Sequence, residues 1–560
     1  MKNSLIVLCV LGTLAFSPAR VRSFQDKFMR EFDEEDDSRI HPDLPVSNPF
    51  TTKQIQPDEL ETEYWMKNAR ETVADKVKIH SQPNTNVAKN IIFFIGDGMS
   101  FQTVAAARMH GENGNENNKL SFEKFPYFGM AKTYCVNRQV SDSACTATAY
   151  LSGVKANYGT IGLDAGISRY DCTGQNDEAH QTKGIGEWSL DSCKGVGLVT
   201  TTRITHATPA GLFAHIADRY WEHDGEVVDD ECDPQVTHDI AEQLVRSKVG
   251  SKLKVILGGG RKYFLDQSVQ DEEQNNGLRQ DGQNLIDEWK TERSKEGNAN
   301  YVWKKSELLG LDVNSTDYLL GLFEGEHMKY HLDAVADPEE PTLSEMVETA
   351  IKMLQKEEKG YFLFVEGGKI DVAHHESWTR RALDETLEFS NAIQLARDMT
   401  SDQDTLIVVS ADHGHTMTYA GYPARGADIL GIAQNSNIDR MPMSILSYAN
   451  GQGYYNTYNE LGDVRVNIGG YNFSDPEFKY FATVPLNTES HGGDDVGVYA
   501  SGPWAHLFVG QYEQNVLPYA MAYAAQIGAY GEDMVCGATS ITFGISLLTL
   551  LLIHIFRHYI

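Results

Sequence analysis

The chain has no CxxC pair and no Cys/His spacing of the zinc-finger kind, so its seven cysteines are poor candidates for metal ligands. Positive charge is scarce: 48 basic against 79 acidic residues leave a formal charge of -31. That balance excludes a nucleic-acid phosphate backbone as the main partner, since such a partner needs a basic surface. It does not exclude a phosphate substrate, because bound divalent cations reverse the local potential inside a small cleft. Apolar residues are thin from Arg30 to Asp43, where Glu31, Asp33, Glu34, Glu35, Asp36 and Asp37 crowd together; this reads as a solvated segment or propeptide. With 560 residues the chain is long enough for one large α/β core with insertions or for several domains.

Both ends carry processing signals. Residues 1–19 read as a secretory leader, with Lys2, an apolar run from Leu5 to Phe16, and a small-x-small site at Ser17-Pro18-Ala19. Residues 537–560 follow small residues with a nearly apolar run from Ile541 to Phe556, which fits a tail exchanged for a glycolipid (GPI) anchor. The alternative is a retained transmembrane helix ending in Arg557-His558-Tyr559-Ile560. Either anchor places the mature protein on the extracellular face of the cell membrane, where disulfides form. Leaving out Cys9 and Cys536, five cysteines remain, and at least one is unpaired with the other four. Asn314 and Asn472 head glycosylation sequons.

Between residues 20–60 and the tail, one catalytic domain is expected over 61–530. Helical spacing of Tyr64, Trp65, Ala69 and Val73 opens it. Strands then alternate with helices: strand to Ile95, helix from Ser143, strand Val196–Thr200, helix Ile240–Val245, strand Val255–Leu257, helix Leu343–Leu354, strand to Val365, helix Leu383–Met399 and strand to Val409. The fold class is therefore α/β, a central, largely parallel sheet with helices on both faces. Around 421–488 the pattern fails and Gly, Tyr and Asn accumulate, which predicts an inserted subdomain or interface.

Three apolar β-runs break abruptly into polar chemistry: Ile91–Ile95 before Gly96-Asp97-Gly98, Tyr361–Val365 before Glu366, and Leu406–Val409 before Asp412-His413. Ligands collect at the carboxyl ends of parallel strands, so these breaks converge on one crevice as a multi-metal site. Asp371 and His375 stand four apart, on one face of a helical turn, and can share a cation. His491 offers a third ligand from far along the chain. Ala-rich sequence after Asp142 starts a helix at Ser143, whose hydroxyl meets free amide donors and the positive dipole end. Taken alone, Asp142 or Ser143 reads first as no more than a helix cap.

The segments Phe94-Ile95-Gly96-Asp97-Gly98-Met99, Asp142-Ser143-Ala144-x-Thr146-Ala147-Thr148-Ala149, Thr200-Thr201-Thr202-Arg203, His206-Ala207-Thr208-Pro209-Ala210, Phe362-Leu363-Phe364-Val365-Glu366-Gly367-Gly368, Ala411-Asp412-His413 and His491-Gly492-Gly493-Asp494 resemble, in order, the motifs of animal alkaline phosphatases. The resemblance runs from about Tyr64 to about Ala525. It implies a homodimeric, GPI-anchored phosphomonoesterase with two zinc ions and one magnesium ion, and marks 421–488 as a crown-like insertion. One zinc would be held by Asp371, His375 and His491, the other by Asp97, Asp412 and His413 beside the nucleophile Ser143. Magnesium would take Asp97, Thr208 and Glu366, with His206 behind them, and Arg219 would clamp phosphate. A further calcium would fall at Glu273, Phe323, Glu324 and Asp337. Val372 departs from the pattern, standing where relatives carry histidine or lysine. A sulfatase is disfavoured by the lack of a Cys/Ser-x-Pro-x-Arg segment, a phosphodiesterase by serine instead of threonine at 143, and a silent surface glycoprotein by the intact ligand set.

Overall fold

The computed structural model describes residues 57–111, 114–337 and 339–531. The leader, most of the acidic segment, the C-terminal tail, Cys9 and Cys536 lie outside them. Among the described residues no helix is long and apolar enough to cross a membrane.

Ten strands form the main sheet: β1 (Asn90–Gly96), β2 (Tyr127–Lys132), β3 (Gly195–Arg203), β4 (Val255–Gly259), β5 (Ala299–Val302), β6 (Tyr318–Leu322), β7 (Tyr361–Gly367), β8 (Thr405–Ala411), β9 (Val496–Ser501) and β10 (Gly510–Glu513). Their order is β10-β2-β9-β8-β1-β7-β3-β4-β6-β5. All neighbours are parallel except those of β9, which runs antiparallel to β2 and β8. The expected parallel sheet is thus present, with one reversed strand that periodicity could not identify. β1, β7 and β8 are buried on both faces apart from Asn90 at the start of β1, which is why they read as unbroken apolar runs and not as alternation.

The helices that matter for the site are α1 (Thr62–Ser81), α2 (Ser143–Ser152), α3 (Ala207–Ala210), α4 (Ile240–Arg246), α5 (Leu343–Leu354), α6 (Lys369–His375) and α7 (Thr379–Met399). α5 shows how local rules fix an element. Thr342 and Glu345 form a reciprocal capping box, and Leu343, Met346, Val347, Ala350, Ile351 and Leu354 are buried along one side. α1 is the exception, for it buries no residue.

The core joins the sheet to the helix that carries the serine. The Phe93 ring on β1 lies 5.7 Å from that of Tyr150 on α2 and 5.8 Å from that of Phe364 on β7, and all three are fully buried. Phe93→Ala is expected to cost about 3–5 kcal/mol through lost burial and the cavity left behind, measured by urea unfolding. A loss below about 1 kcal/mol would contradict this packing.

Between residues 417 and 484 the chain forms short strands of its own. Short strands Met417–Tyr419, Leu446–Asn450 and Ala482–Val484 form one small sheet, and Ile432–Asn435 with Pro442–Ser444 another. Phe473, Phe478, Tyr480 and Phe481 pack on one another at ring separations of 5.3 to 6.2 Å. Disulfides join Cys135 to Cys145 and Cys172 to Cys232, which withdraws these four thiols from metal binding, and Cys193 is disulfide-bonded as well.

Candidate metal centre

Four neighbouring strands in the middle of the sheet, β8-β1-β7-β3, deliver the polar residues. In the parallel register Gly96 stands beside Gly367 on one side and Ala411 on the other, so Asp97 and Asp412 leave the sheet together. Glu366 pairs in register with Ile95 and Thr200. Gly98 then turns the chain with φ +68°, and a Cβ there would lie 2.5 Å from the His415 ring. Only glycine combines that backbone with that approach.

Three groups of ligand atoms result, each with all its atoms within 4.8 Å of one another: Asp371, His375, His415 and His491; Asp97, Asp412 and His413; Asp97, His206 and Glu366. Asp97 belongs to two of them. In the first, His375 Nδ1 donates to the Glu489 carbonyl at 2.5 Å and His491 Nδ1 to the Ser141 carbonyl at 2.7 Å. A carbonyl only accepts, so each Nδ1 carries a proton and, on a neutral ring, each Nε2 presents a lone pair. Those two Nε2 atoms stand 3.0 Å apart, and each is 3.4 Å from an Asp371 oxygen. Burial keeps His375 below its ordinary value, in the neutral form.

In the second group Asp412 Oδ1 accepts from Gly98 N–H at 2.9 Å and from His413 N–H at 2.7 Å, while Oδ2 is buried with no hydrogen-bond donor. Asp97 Oδ1 and Glu366 Oε1 are likewise buried without a donor. Burial raises the Asp97 carboxyl well above its usual range, and the Asp412, Asp371 and Glu366 charges add to that. Burial also pushes Glu366 up, to about 7, against hydrogen bonds from the Thr200 and Thr202 hydroxyls. Thr208 Oγ1, on α3, lies 3.4 Å from Asp97 Oδ2. Orphaned carboxylate oxygens and facing imidazole lone pairs are the donor set of bound divalent cations.

Ser143 is the first residue of α2. Its Oγ lies 3.4 Å from Asp97 Oδ2 and 3.3 Å from His413 Nε2. Asp142 caps the helix by accepting from Cys145 N–H, and its other oxygen accepts from Arg219 Nη1 at 3.2 Å. So Asp142 is a cap, as the plain reading held, and also holds the arginine. Arg219 Nη2 donates to His206 Nε2 at 3.1 Å. A cavity of about 410 Å³ opens at His375 and His491, with Tyr158 and Ser141 in its wall.

The sequence reading missed His415, Glu489 and His327. His415 is fully buried, with Nε2 2.6 Å from Asp371 Oδ1 and Nδ1 bonded to the Glu489 carboxylate. A short antiparallel pair sets His415 opposite His491. Burial alone would lower the His415 pKa, but the Glu489 and Asp371 carboxylates hold it up to about 10. In the metal-free protein this charged imidazole contributes stability that is complete below about pH 6.5 and lost as pH rises through about 10. His415→Gln is therefore expected to flatten a decline on the order of a few kcal/mol across that window, read from chelator-treated denaturation curves at successive pH values. An unchanged slope would refute the charged form. His327 accepts from Arg203 N–H at 3.2 Å, and its ring lies 5.3 Å from that of His206.

The three carboxylates proposed for calcium each meet a protein cation. Glu273 bonds Arg261, and Lys329 Nζ stands 2.9 Å from Glu324 and 2.7 Å from Asp337. Glu340, not anticipated, is buried nearby and raised to about 8 by burial and then by Glu324, while Phe323 is a core residue. Val372 packs against the cluster of Tyr330, Ala373 and Ala382, so it adds no polar group. Asn314 and Asn472 are both exposed.

A family model described as alkaline phosphatase matches residues 88–527. The chain is 44% identical to the membrane-bound alkaline phosphatase of Bombyx mori, over 92% of this chain and 94% of that protein. It is 46% identical to the tissue-nonspecific isozyme of Gallus gallus, over 84% and 90% respectively. Among solved structures, the alkaline phosphatase of Thermus thermophilus superposes with a TM-score of 0.57 at 22% identity, covering 81% of this chain and 96% of that one, which supports the fold. On the family model and these identities, the chain belongs to the alkaline phosphatase family.

Proposed function

We infer that the chain hydrolyses phosphate monoesters to alcohol and inorganic phosphate through a phosphoserine on Ser143. The observation that carries this reading is the pair of Nε2 lone pairs from His375 and His491 converging beside Asp371, next to buried, donorless oxygens of Asp97, Asp412 and Glu366. Asp371, His375 and His491 suit one zinc ion, Asp97, Asp412 and His413 a second, and the oxygen donors Asp97, Thr208 and Glu366 magnesium, with His206 alongside. Such ions supply Lewis acidity, lowering the pKa of a nearby hydroxyl and neutralising phosphoryl oxygens. The calcium reading gains no such support, since its carboxylates are matched by Arg261 and Lys329.

The chain's own residues then account for the chemistry. Ser143 Oγ sits at a helix start, where free N–H groups and the dipole favour negative charge, with its proton directed toward Asp97 Oδ2. It attacks phosphorus in line as the alcohol departs. Arg219, fixed by Asp142, offers its planar fork to two phosphate oxygens. Water attacks from the vacated side as the Ser143 Oγ–phosphorus bond breaks, which releases inorganic phosphate and restores the serine hydroxyl, so two inversions give net retention at phosphorus. The needed deprotonated groups make activity rise with pH.

Monoester and diester hydrolysis, each with and without chelator, test the reading. Monoester turnover is expected to dominate, to vanish with chelator and to return with zinc plus magnesium. Chelator-insensitive turnover, or a preference for diesters, would reject it.

A homodimer on the membrane completes the proposal. α1 leaves Trp65, Val73 and Val77 exposed along a twenty-residue helix, which favours a second copy as its partner. The apolar tail in the sequence and the membrane-bound name of the Bombyx mori relative favour a glycolipid anchor. Release from cells by a phosphatidylinositol-specific phospholipase C is expected; retention would favour the transmembrane alternative.

A further inference from the structure

The loop before the serine helix is poorly supported by packing. Val136 and Val140 are 54% and 41% exposed. Beneath the loop, Cys135, Cys145 and Ala156 form a small buried cluster of their own, apart from the main core, and among the described residues Tyr158 is the one partly buried apolar side chain packed against it. Its exposed stretch is tied to the following segment by Val136 N–H to the Ala156 carbonyl at 3.0 Å and by Tyr158 N–H to Asn137 Oδ1 at 2.9 Å.

Yet this loop carries three groups whose positions the reaction depends on. The Ser141 carbonyl receives His491 Nδ1 at 2.7 Å. The Asp142 carboxylate receives Arg219 at 3.2 Å and Gly159 N–H at 3.1 and 3.2 Å. Ser143 follows directly. All three lie inside the ring closed by the Cys135–Cys145 disulfide, whose second cysteine is the third residue of α2.

We propose that the Cys135–Cys145 disulfide is a positioning element for phosphate binding: it fastens the loop that orients His491 and Arg219 to the first turn of the helix that carries Ser143. A covalent tie substitutes here for the core contacts the loop lacks. Its opening lets Asp142 and Ser141 shift, and Arg219 loses its fixed direction. A misdirected guanidinium holds the phosphoryl oxygens less tightly in substrate, transition state and product alike, which weakens binding more than turnover. The proposal rests on the phosphomonoesterase reading.

The test uses the metal-loaded, full-length protein, 4-nitrophenyl phosphate as substrate and inorganic phosphate as competitive inhibitor. In Cys135→Ser/Cys145→Ser, KM and the phosphate inhibition constant are expected to rise together about tenfold, with kcat changed less than about threefold, the signature of lost uniform binding. A staple that served stability alone would lower Tm and leave both constants at wild-type values, and that result overturns the proposal. If the double variant is not secreted, the wild type is treated with a phosphine reductant, and opening of the 135–145 bridge is mapped by alkylation and mass spectrometry. The same rise, reversed on reoxidation, supports the proposal; unchanged constants with the bridge open refute it. Inactive wild type would instead refute the phosphomonoesterase reading on which the proposal stands.

Discussion

Ser143→Ala is expected to lower monoester turnover by at least about a thousandfold while bound zinc stays near the wild-type amount. The serine contributes one hydroxyl, whereas the nitrogen and carboxylate ligands around it come from β7 and α6, from the residues just beyond β1 and β8, and from the segment around His491, none of which the substitution disturbs. Removing Oγ takes away the atom that attacks phosphorus and leaves Asp142 still capping the helix and holding Arg219. Phosphate should therefore still bind. Single-turnover assays, metal analysis by mass spectrometry and a phosphate-binding titration on one preparation separate these effects. Turnover within tenfold of wild type would sink the covalent role, and loss of zinc alongside turnover would mean the serine acts mainly on the metals.

Asp97→Asn should have opposite effects with and without metal. Asp97 is the one residue shared between two ligand groups, so metal content is expected to fall at both and turnover to drop on the order of a thousandfold or more. In the metal-free protein the same carboxylate is a liability. Burial and the neighbouring Asp412, Asp371 and Glu366 hold its carboxyl well above the usual range. For an acid raised in the folded state, stability is lost as pH climbs from the unfolded value, near 4, through the folded one. The amide removes that loss, so chelator-treated Asp97→Asn should be more stable than wild type by more than about 1 kcal/mol at alkaline pH, and less stable once metal is restored. Denaturation curves with and without metal would show the crossing. A variant destabilised under both conditions would mean that Asp97 is held by ordinary hydrogen bonding and not by cations.

Much of this was legible in the sequence because the parts that carry it are local. β1, β7 and β8 are buried on both faces and so are written as continuous apolar runs, and each ends where a carboxylate begins. Thr342 and Glu345 announce the start of α5. What escaped depends on pairings between distant residues. His415 stands two residues beyond His413, but its importance comes from lying opposite His491 and between Asp371 and Glu489, partners 44 and 74 residues away. No local pattern encodes that. The reversed direction of β9 and the pairing of the cysteines were hidden for the same reason, since both are decided by which segments meet and not by what each prefers alone.

The ligand groups take Asp97 from near the beginning of the folded region and His491 from near its end. A ribosome has therefore made nearly the entire body of the protein before the last imidazole exists, and the centre cannot be complete on any shorter nascent chain. A full complement of cations must then wait until nearly the whole polypeptide has been made, so the divalent-cation supply met by the finished chain, and not by a growing one, bears on how much fully loaded protein forms.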